Sequence, residues 1–344
     1  MSDSLFQSNE NRKSEKFRKN EKLNALLAEL KEMLAPLQRE KEQQAIENNW
    51  PVAFIVGAPR SGTTLLLQWL ASTGCFAYPS NLLTRFAYAP YLGALIQKML
   101  FDPDYDFHGE LADIQSSLNF ESNLGKSSGA LATSEFQHFF RNYMPNFDPE
   151  YLEEDSVGKV DFEGMKRGLA LLEQAFEKPF VTKALMLQYN IPHLAAKLDN
   201  TVFLYIRRKP VYNMQSVLLA REKYYSDRKI WWSVKPKAFE WLKTMDVYHQ
   251  IAGQVYYTNQ AIENALSDLP DHKKLMVDYE SLCAHPETYY TKMVEIYRQA
   301  GYSLSPEYKG PSQFDNTNSP GVPASDLQKL KDAYRYFSDI KSAR

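Results

Sequence analysis

Hydrophobic positions along this chain follow two periods, and the switch between them marks its organisation. Between residues 20 and 40, Leu23, Leu26, Leu27, Leu30, Leu34 and Leu37 recur at steps of three and four, laying one apolar stripe along a charged helix. Pro36 is expected to kink or break that helix near Ala35, because proline offers no amide proton and its ring crowds the preceding turn. From Pro51 onward, short apolar runs alternate with helical patterns. Residues 52–56 (VAFIV), 180–184 (FVTKA), 201–208 (TVFLYIRR) and 274–279 (KLMVDY) read as strands. Residues 63–72 (TTLLLQWLAS), 188–198, 210–225, 238–266 and 286–300 read as helices, and a Gly/Pro/Asn loop at 314–325 precedes a last helix over 325–340. This alternation predicts an α/β fold, a parallel sheet flanked by helices. Residues 1–50 then form a charged, amphipathic helical extension to one domain spanning 51–344. The leucine stripe is expected to pack on that domain, with pairing of two chains into a homodimer as the alternative.

Composition narrows the picture modestly. With 344 residues, 44% of them hydrophobic, the chain can bury a sizeable core, and a net charge of −2 gives no general attraction to nucleic acid or an anionic membrane. Cys75 and Cys283 stand far apart and outside any C-x-x-C spacing, and the six histidines form no H-x-x-x-H pair, so neither a disulfide framework nor a metal site is expected. No run approaches the ~18–20 apolar residues of a membrane span. The first residues, MSDSLFQSNENRKSEKFRKNEKLN, are too polar for a secretory leader and carry too much Glu for a transit peptide, so a soluble, cytoplasmic protein is expected.

The strongest chemical signal follows the first strand. Gly57-Ala58-Pro59-Arg60-Ser61-Gly62-Thr63-Thr64 has the G-x-x-x-x-G spacing of a phosphate loop and opens directly into a helix. Glycines at 57 and 62 let the backbone turn tightly and approach a phosphate, and the amides of residues 61–64 with the Thr hydroxyls supply donors. A nucleoside triphosphatase or kinase would carry Lys at position 63, where Thr stands, and would need an Asp ending an apolar strand to hold Mg²⁺. The nearest imitation, Asp278 in LMVD, leads straight into YESL. A P-loop kinase or triphosphatase is therefore the weaker reading, as is a non-catalytic scaffold that merely retains the fold.

The string GAPRSGTTLL resembles the 5′-phosphosulfate loop of the sulfotransferases that use 3′-phosphoadenosine 5′-phosphosulfate (PAPS), whose members carry P-K-S-G-T-T or P-R-S-G-T-T there. RKPVYNMQS, directly after the third strand, resembles the family's 3′-phosphate site, an R-x-P with Ser eight residues after the Arg. Arg208 supplies a planar fork suited to phosphate oxygens and Ser216 a hydroxyl two turns into the helix. The resemblance runs in order over about 51–340 and implies PAPS as sulfuryl donor, with Gly57, Pro59, Arg60, Ser61, Gly62, Thr63, Thr64, Arg208 and Ser216 around it. LMVDYESLCAHPE is similar to the family's Y-E-x-L…P-E segment, where Tyr279 and Glu280 support the fold. NTNSPGV lies where members close a loop over the donor, which adds Asn316 and Asn318; it lacks the basic residue of cytosolic members.

The implied reaction moves SO₃ to a hydroxyl or amine acceptor: a carbohydrate, a glycolipid or a small metabolite. Charge grows on the leaving phosphate oxygen, and Arg60 with Lys183, at the end of the second strand, is expected to stabilise it without a metal. The family's two positions for a base hold no such group here, one of them being Leu185. Glu135 and His138 in SEFQHFF are the candidates, three apart and expected on one face of an aromatic-walled helix, with Glu121 behind them. Residues 222–236 (EKYYSDRKIWWSVKP), aromatic and basic, are a candidate acceptor surface, with Trp231 and Trp232 equally readable as core.

Overall fold

The computed structural model describes residues 12–18, 20–45, 50–105, 108, 114, 122–123, 126–144 and 151–342. At its centre lies a sheet of four parallel strands: β1 (Val52–Val56), β2 (Val181–Lys183), β3 (Thr201–Arg207) and β4 (Lys274–Asp278), in the order β2-β1-β3-β4. The helices are α1 (Glu21–Gln43), α2 (Thr63–Ser72), α3 (Pro90–Phe101), α4 (Phe162–Phe176), α5 (Ile191–Lys197), α6 (Pro210–Tyr225), α7 (Val247–Ser267), α8 (Tyr279–Ala284), α9 (Pro286–Gln299) and α10 (Ala324–Ser342).

Why the inner strands read as unbroken apolar runs follows from burial on both faces. Val52, Phe54 and Val56 point with Phe203 and Tyr205 into a core shared with α4 and α5, whereas Ala53 and Ile55 point with Val202, Leu204 and Ile206 toward α2, α8 and α9. A third core joins α6, α7 and α10 through Met214, Val217, Leu218, Ile251, Val255, Leu330 and Phe337.

The strand order fixes where a ligand can sit. From β1 the chain crosses to β2 on one side, and from β3 it crosses to β4 on the other. The carboxyl ends of β1 and β3 therefore flank a topological switch point, the place where open α/β sheets leave a crevice. The loop after β1 is Gly57–Gly62 and the turn after β3 carries Arg208.

Three expectations need correction. Helix α1 runs unbroken through Pro36, whose exposed position lets water take the place of the lost backbone donor. Its apolar face is also narrower than the leucines predict. Leu23, Leu27, Leu30 and Leu34 are half-buried where α1 lies along α3 and α4, but Leu26 and Leu37 are 53% and 59% exposed. The firmest anchor is polar: buried Glu42 accepts from Gln38 Nε2 at 3.0 Å and Tyr143 Oη at 2.5 Å, and Gln38 Oε1 accepts from the Tyr91 amide at 3.1 Å. Finally, the span 238–266 is two helices, a turn at Phe239–Leu242 and then α7, divided by Asp246, whose carboxylate caps the amides of Tyr248 and His249. Helices α3, α4 and α8 are additions to the predicted set.

Candidate active site

The loop after β1 is held in a shape that few sequences tolerate. Arg60 has φ 68° and Gly62 φ 107°, so two residues of one turn are left-handed. At Gly62 a Cβ would also lie 2.6 Å from the Tyr279 ring, and at Gly57 it would meet Ser61 Oγ at 2.6 Å and the Ile206 carbonyl at 2.7 Å. Gly57 is therefore required by space, and Gly62 by space and by turn geometry. Neighbours fix the loop from outside. Asn213 Nδ2 donates to the Pro59 carbonyl, and the Gly57 amide donates to Gln188 Oε1 at 3.1 Å.

Gly62 is the N-cap of α2 and has no side chain to cap it, so the first-turn amides keep their donor capacity for an anion. Ser61 departs from expectation: its amide donates to the Ala58 carbonyl at 3.1 Å, so the donor set starts at Gly62. Its buried hydroxyl has no hydrogen-bond partner among the described residues.

Two guanidinium groups stand side by side over this loop. Arg60 Nε donates to Ser216 Oγ at 3.0 Å, and Arg208 Nη1 donates to the Arg60 carbonyl at 3.3 Å. Arg208 also lies over the Tyr279 ring, 4.6 Å from its centre. Burial draws the pKa of Arg60 down and the charge of Arg208 adds to it, while Arg208, likewise lowered by burial, is supported by Tyr279 and Glu280. Two desolvated cations this close favour a bound anion. The adjacent Arg207 behaves differently. Its Nη2 pairs with Asp278 at 3.1 Å, across the register Arg207↔Asp278, and so also neutralises the one carboxylate that imitates a Mg²⁺ ligand. In the closing loop, Asn318 Oδ1 accepts from Arg208 Nε at 2.7 Å, and Asn316 Oδ1 accepts from the Asn318 amide at 3.0 Å.

On the other side of β1, Lys183 ends β2 opposite Ile55. Its side chain is only 3% exposed, and Nζ donates to Thr64 Oγ1 at 3.2 Å and to Glu135 Oε1 at 2.9 Å. The phosphate loop, the strand-end lysine and a carboxylate thus meet at one point. Glu135 reaches it from outside the helix predicted to carry it. That helix is a single turn, Gln137–Phe140, and Glu135 precedes it in an extended segment fixed by the bridge Ser80↔Thr133 and the Ser134 amide on the Pro79 carbonyl. Gln137 Nε2 holds the second carboxylate oxygen at 2.9 Å. His138 places its ring 6.4 Å from that of Tyr88. The expected aromatic wall is core instead, with Phe136, Phe139 and Phe140 buried. Glu121 lies outside the described residues.

Comparison with known proteins agrees with this geometry. A family model described as "Sulfotransferase family" matches residues 51–306. The chain belongs to the sulfotransferase family. The crystal structure of sulfotransferase STF9 from Mycobacterium avium is similar at a TM-score of 0.50 and 12% identity, covering 86% of this chain and 70% of that one. Sulfotransferase STF1 from Mycobacterium tuberculosis H37Rv gives 0.47 and 15%, covering 87% and 80%. A comparison with curated proteins finds no match. At 12% identity the likeness to the Mycobacterium avium structure speaks for the fold alone.

Several residues that shape this sulfotransferase site carried no signal in the sequence. Asn213 and Gln215 flank Met214 on α6 just before Ser216; the first holds the phosphate loop, and the second clamps the closing loop through Ser319 O at 2.6 Å and the Gly321 amide at 3.0 Å. Buried amides on a helix otherwise facing a core were the available hint. Gln188 offered none. In the aromatic stretch 222–236, Trp231 packs edge-on to Phe239 and under the buried Arg221, so part of that candidate acceptor surface is structural.

Proposed function

We propose that this sulfotransferase moves the sulfuryl group from PAPS to the hydroxyl or amine of a carbohydrate, glycolipid or small metabolite. One observation carries the reading. A glycine-bounded amide cradle, two half-buried guanidinium groups and a strand-end lysine bonded to a carboxylate converge at the switch point of the sheet. The cradle suits a 5′-phosphosulfate, since the two glycines let the turn pack directly against Ile206 and Tyr279 while the first-turn amides of α2 keep their donor capacity. Arg208 and Ser216, bonded to Arg60 on the β3 side, are the groups assigned to the 3′-phosphate.

In this reading the amides of Gly62, Thr63 and Thr64 and the Arg60 guanidinium stabilise the charge that grows on the leaving oxygen. Lys183, fixed between Thr64 and Glu135, donates to the oxygen bridging phosphorus and sulfur. Glu135 takes the acceptor proton as the new S–O or S–N bond forms and the old S–O bond breaks, leaving 3′-phosphoadenosine 5′-phosphate (PAP). The Lys183 ammonium, 2.9 Å from the carboxylate, fixes its orientation for that transfer.

The test is a melting-temperature panel with PAP, ATP and buffer, followed by ³⁵S transfer from PAPS into cell extracts. Stabilisation by PAP well beyond ATP, together with a labelled product, is expected. Stabilisation by ATP with Mg²⁺ in preference to PAP would return the chain to the kinase reading, and PAP binding without transfer would make it a scaffold.

A further inference from the structure

Every nitrogen of the Arg208 guanidinium has a neutral oxygen beside it. Nε donates to Asn318 Oδ1 at 2.7 Å, Nη2 to Thr317 Oγ1 at 3.1 Å and to Thr317 O at 3.3 Å, and Nη1 to Arg60 O at 3.3 Å. The edge formed by Nε and Nη2, which a phosphate would grip bidentately, is filled by two consecutive residues of the closing loop. Asn318 uses both ends of its amide, since Nδ2 donates to Glu280 Oε1 at 2.5 Å, and Glu280 also accepts from the Lys209 amide at 3.1 Å. Thr317 is held in turn by Tyr279, with hydroxyl to hydroxyl at 2.9 Å and the Thr317 amide on Tyr279 Oη at 3.3 Å. Gln215 secures the following residues at Ser319 and Gly321.

We propose that Thr317 and Asn318 form a latch that stands in for the 3′-phosphate on Arg208, gives way when PAPS binds and returns to hasten the departure of PAP. The proposal rests on the reading of Arg208 as the 3′-phosphate reader. The latch oxygens are neutral, whereas a phosphate brings its own negative charge and two oxygens in the fork geometry of the guanidinium, so the nucleotide displaces the latch. The latch, however, is tethered, and its high effective concentration makes it a real competitor at the moment of release. Position 318 demands a neutral residue with a donor and an acceptor. Aspartate there would neutralise Arg208 and repel Glu280, and lysine would repel Arg208. A nucleotide without a 3′-phosphate has nothing to offer Arg208 and leaves the latch closed.

The test uses the full chain, titrated with PAP and with adenosine 5′-phosphate (AMP), and stopped-flow displacement of PAP. Asn318→Ala should bind PAP roughly 10-fold more tightly, the lower end of the worth of a hydrogen bond to a charged group, and release it more slowly by a similar factor, with AMP binding unchanged. Thr317→Val, which keeps the backbone carbonyl, should shift PAP in the same direction by less. Asn318→Asp should weaken PAP and leave AMP alone. Weaker PAP binding by Asn318→Ala would make Asn318 a nucleotide ligand and overturn the latch. Equal changes for PAP and AMP, or none for either, would overturn it as well. Failure of the underlying reading has its own signature: the wild-type chain would prefer PAP to AMP no more than Arg208→Ala does.

Discussion

The two halves of the site, one proposed to hold the donor and the other to face the acceptor, are built by different means. On the donor side, the loop after β1, the turn after β3 and the first two turns of α6 are stitched together by Asn213 on Pro59, Arg60 on Ser216 and Arg208 on the Arg60 carbonyl. Each of these segments is short, follows a central strand and is set by the geometry of its own few residues. On the acceptor side, Lys183 shares that rigidity as the end of β2, but Glu135 comes from a segment pinned to the edge of the structure by pairing with residues 79 and 80. Each donor-side segment thus takes its shape from a local motif and is joined to the others by contacts distant in sequence, whereas Glu135 owes its very position to pairing with a segment outside its own motif.

The sharpest way to break that comparison is to remove the contact joining the halves. Glu135→Gln should lower kcat by ~10²–10⁴-fold, the usual contribution of a positioned base, and leave PAP affinity unchanged. Lys183→Ala should also act on kcat. Because the two side chains share one ion pair, the double variant should fall little further than the worse single one. Wild-type turnover by Glu135→Gln would move the base elsewhere; additive losses would mean that the pair does not act as a unit.

Within the donor side, Arg60→Ala should cost ~10²–10³-fold in kcat, as for loss of one oxyanion donor, since its partner gains charge only as sulfur leaves. Arg60→Lys keeps the charge but loses the Nε bond to Ser216, so it should recover most of the rate. A change confined to KM would assign Arg60 to ground-state binding. Arg208→Ala should have a smaller effect of another kind. It should weaken PAP by roughly 10- to 100-fold, as expected for hydrogen bonds to a charged group, and spare AMP. If both nucleotides weaken together, Arg208 is holding the loop rather than reading a phosphate.

The same division explains what the sequence disclosed. The strands, the phosphate loop and the Arg208–Ser216 spacing could be read because the apolar period, the glycines and the R-x-P turn act over a few residues each. Lys183 could be read because it ends a strand. The helix assigned to Glu135 was misplaced because Phe136, Phe139 and Phe140 mimic a helical face while serving a core that the sheet, α4 and α5 complete. Pro36 misled in the opposite sense, since its cost depends on whether the freed carbonyl meets water, which only the packed structure decides. Asn213, Gln215 and Gln188 act on carbonyls and amides of distant loops, and such partners leave no period in the chain.

The smallest effects belong to the two residues beside Glu135, and they sharpen the acceptor half. Gln137 holds the second carboxylate oxygen at 2.9 Å, whereas Lys183 holds the first. Gln137→Leu should therefore loosen the carboxylate without removing its charge, lowering kcat by about 10-fold or less, the low end for a hydrogen bond to a charged group because this one is exposed to water. His138 lies in the helical turn, with its ring toward Tyr88, which is itself covered by Lys31 of α1 at 4.5 Å. His138→Ala should cost less than Gln137→Leu in kcat, because both carboxylate oxygens keep their donors. The ordering is the test. If His138→Ala proves the inactive variant and Glu135→Gln retains its rate, the proton goes to the imidazole, and the ion pair with Lys183 serves only to hold the lysine.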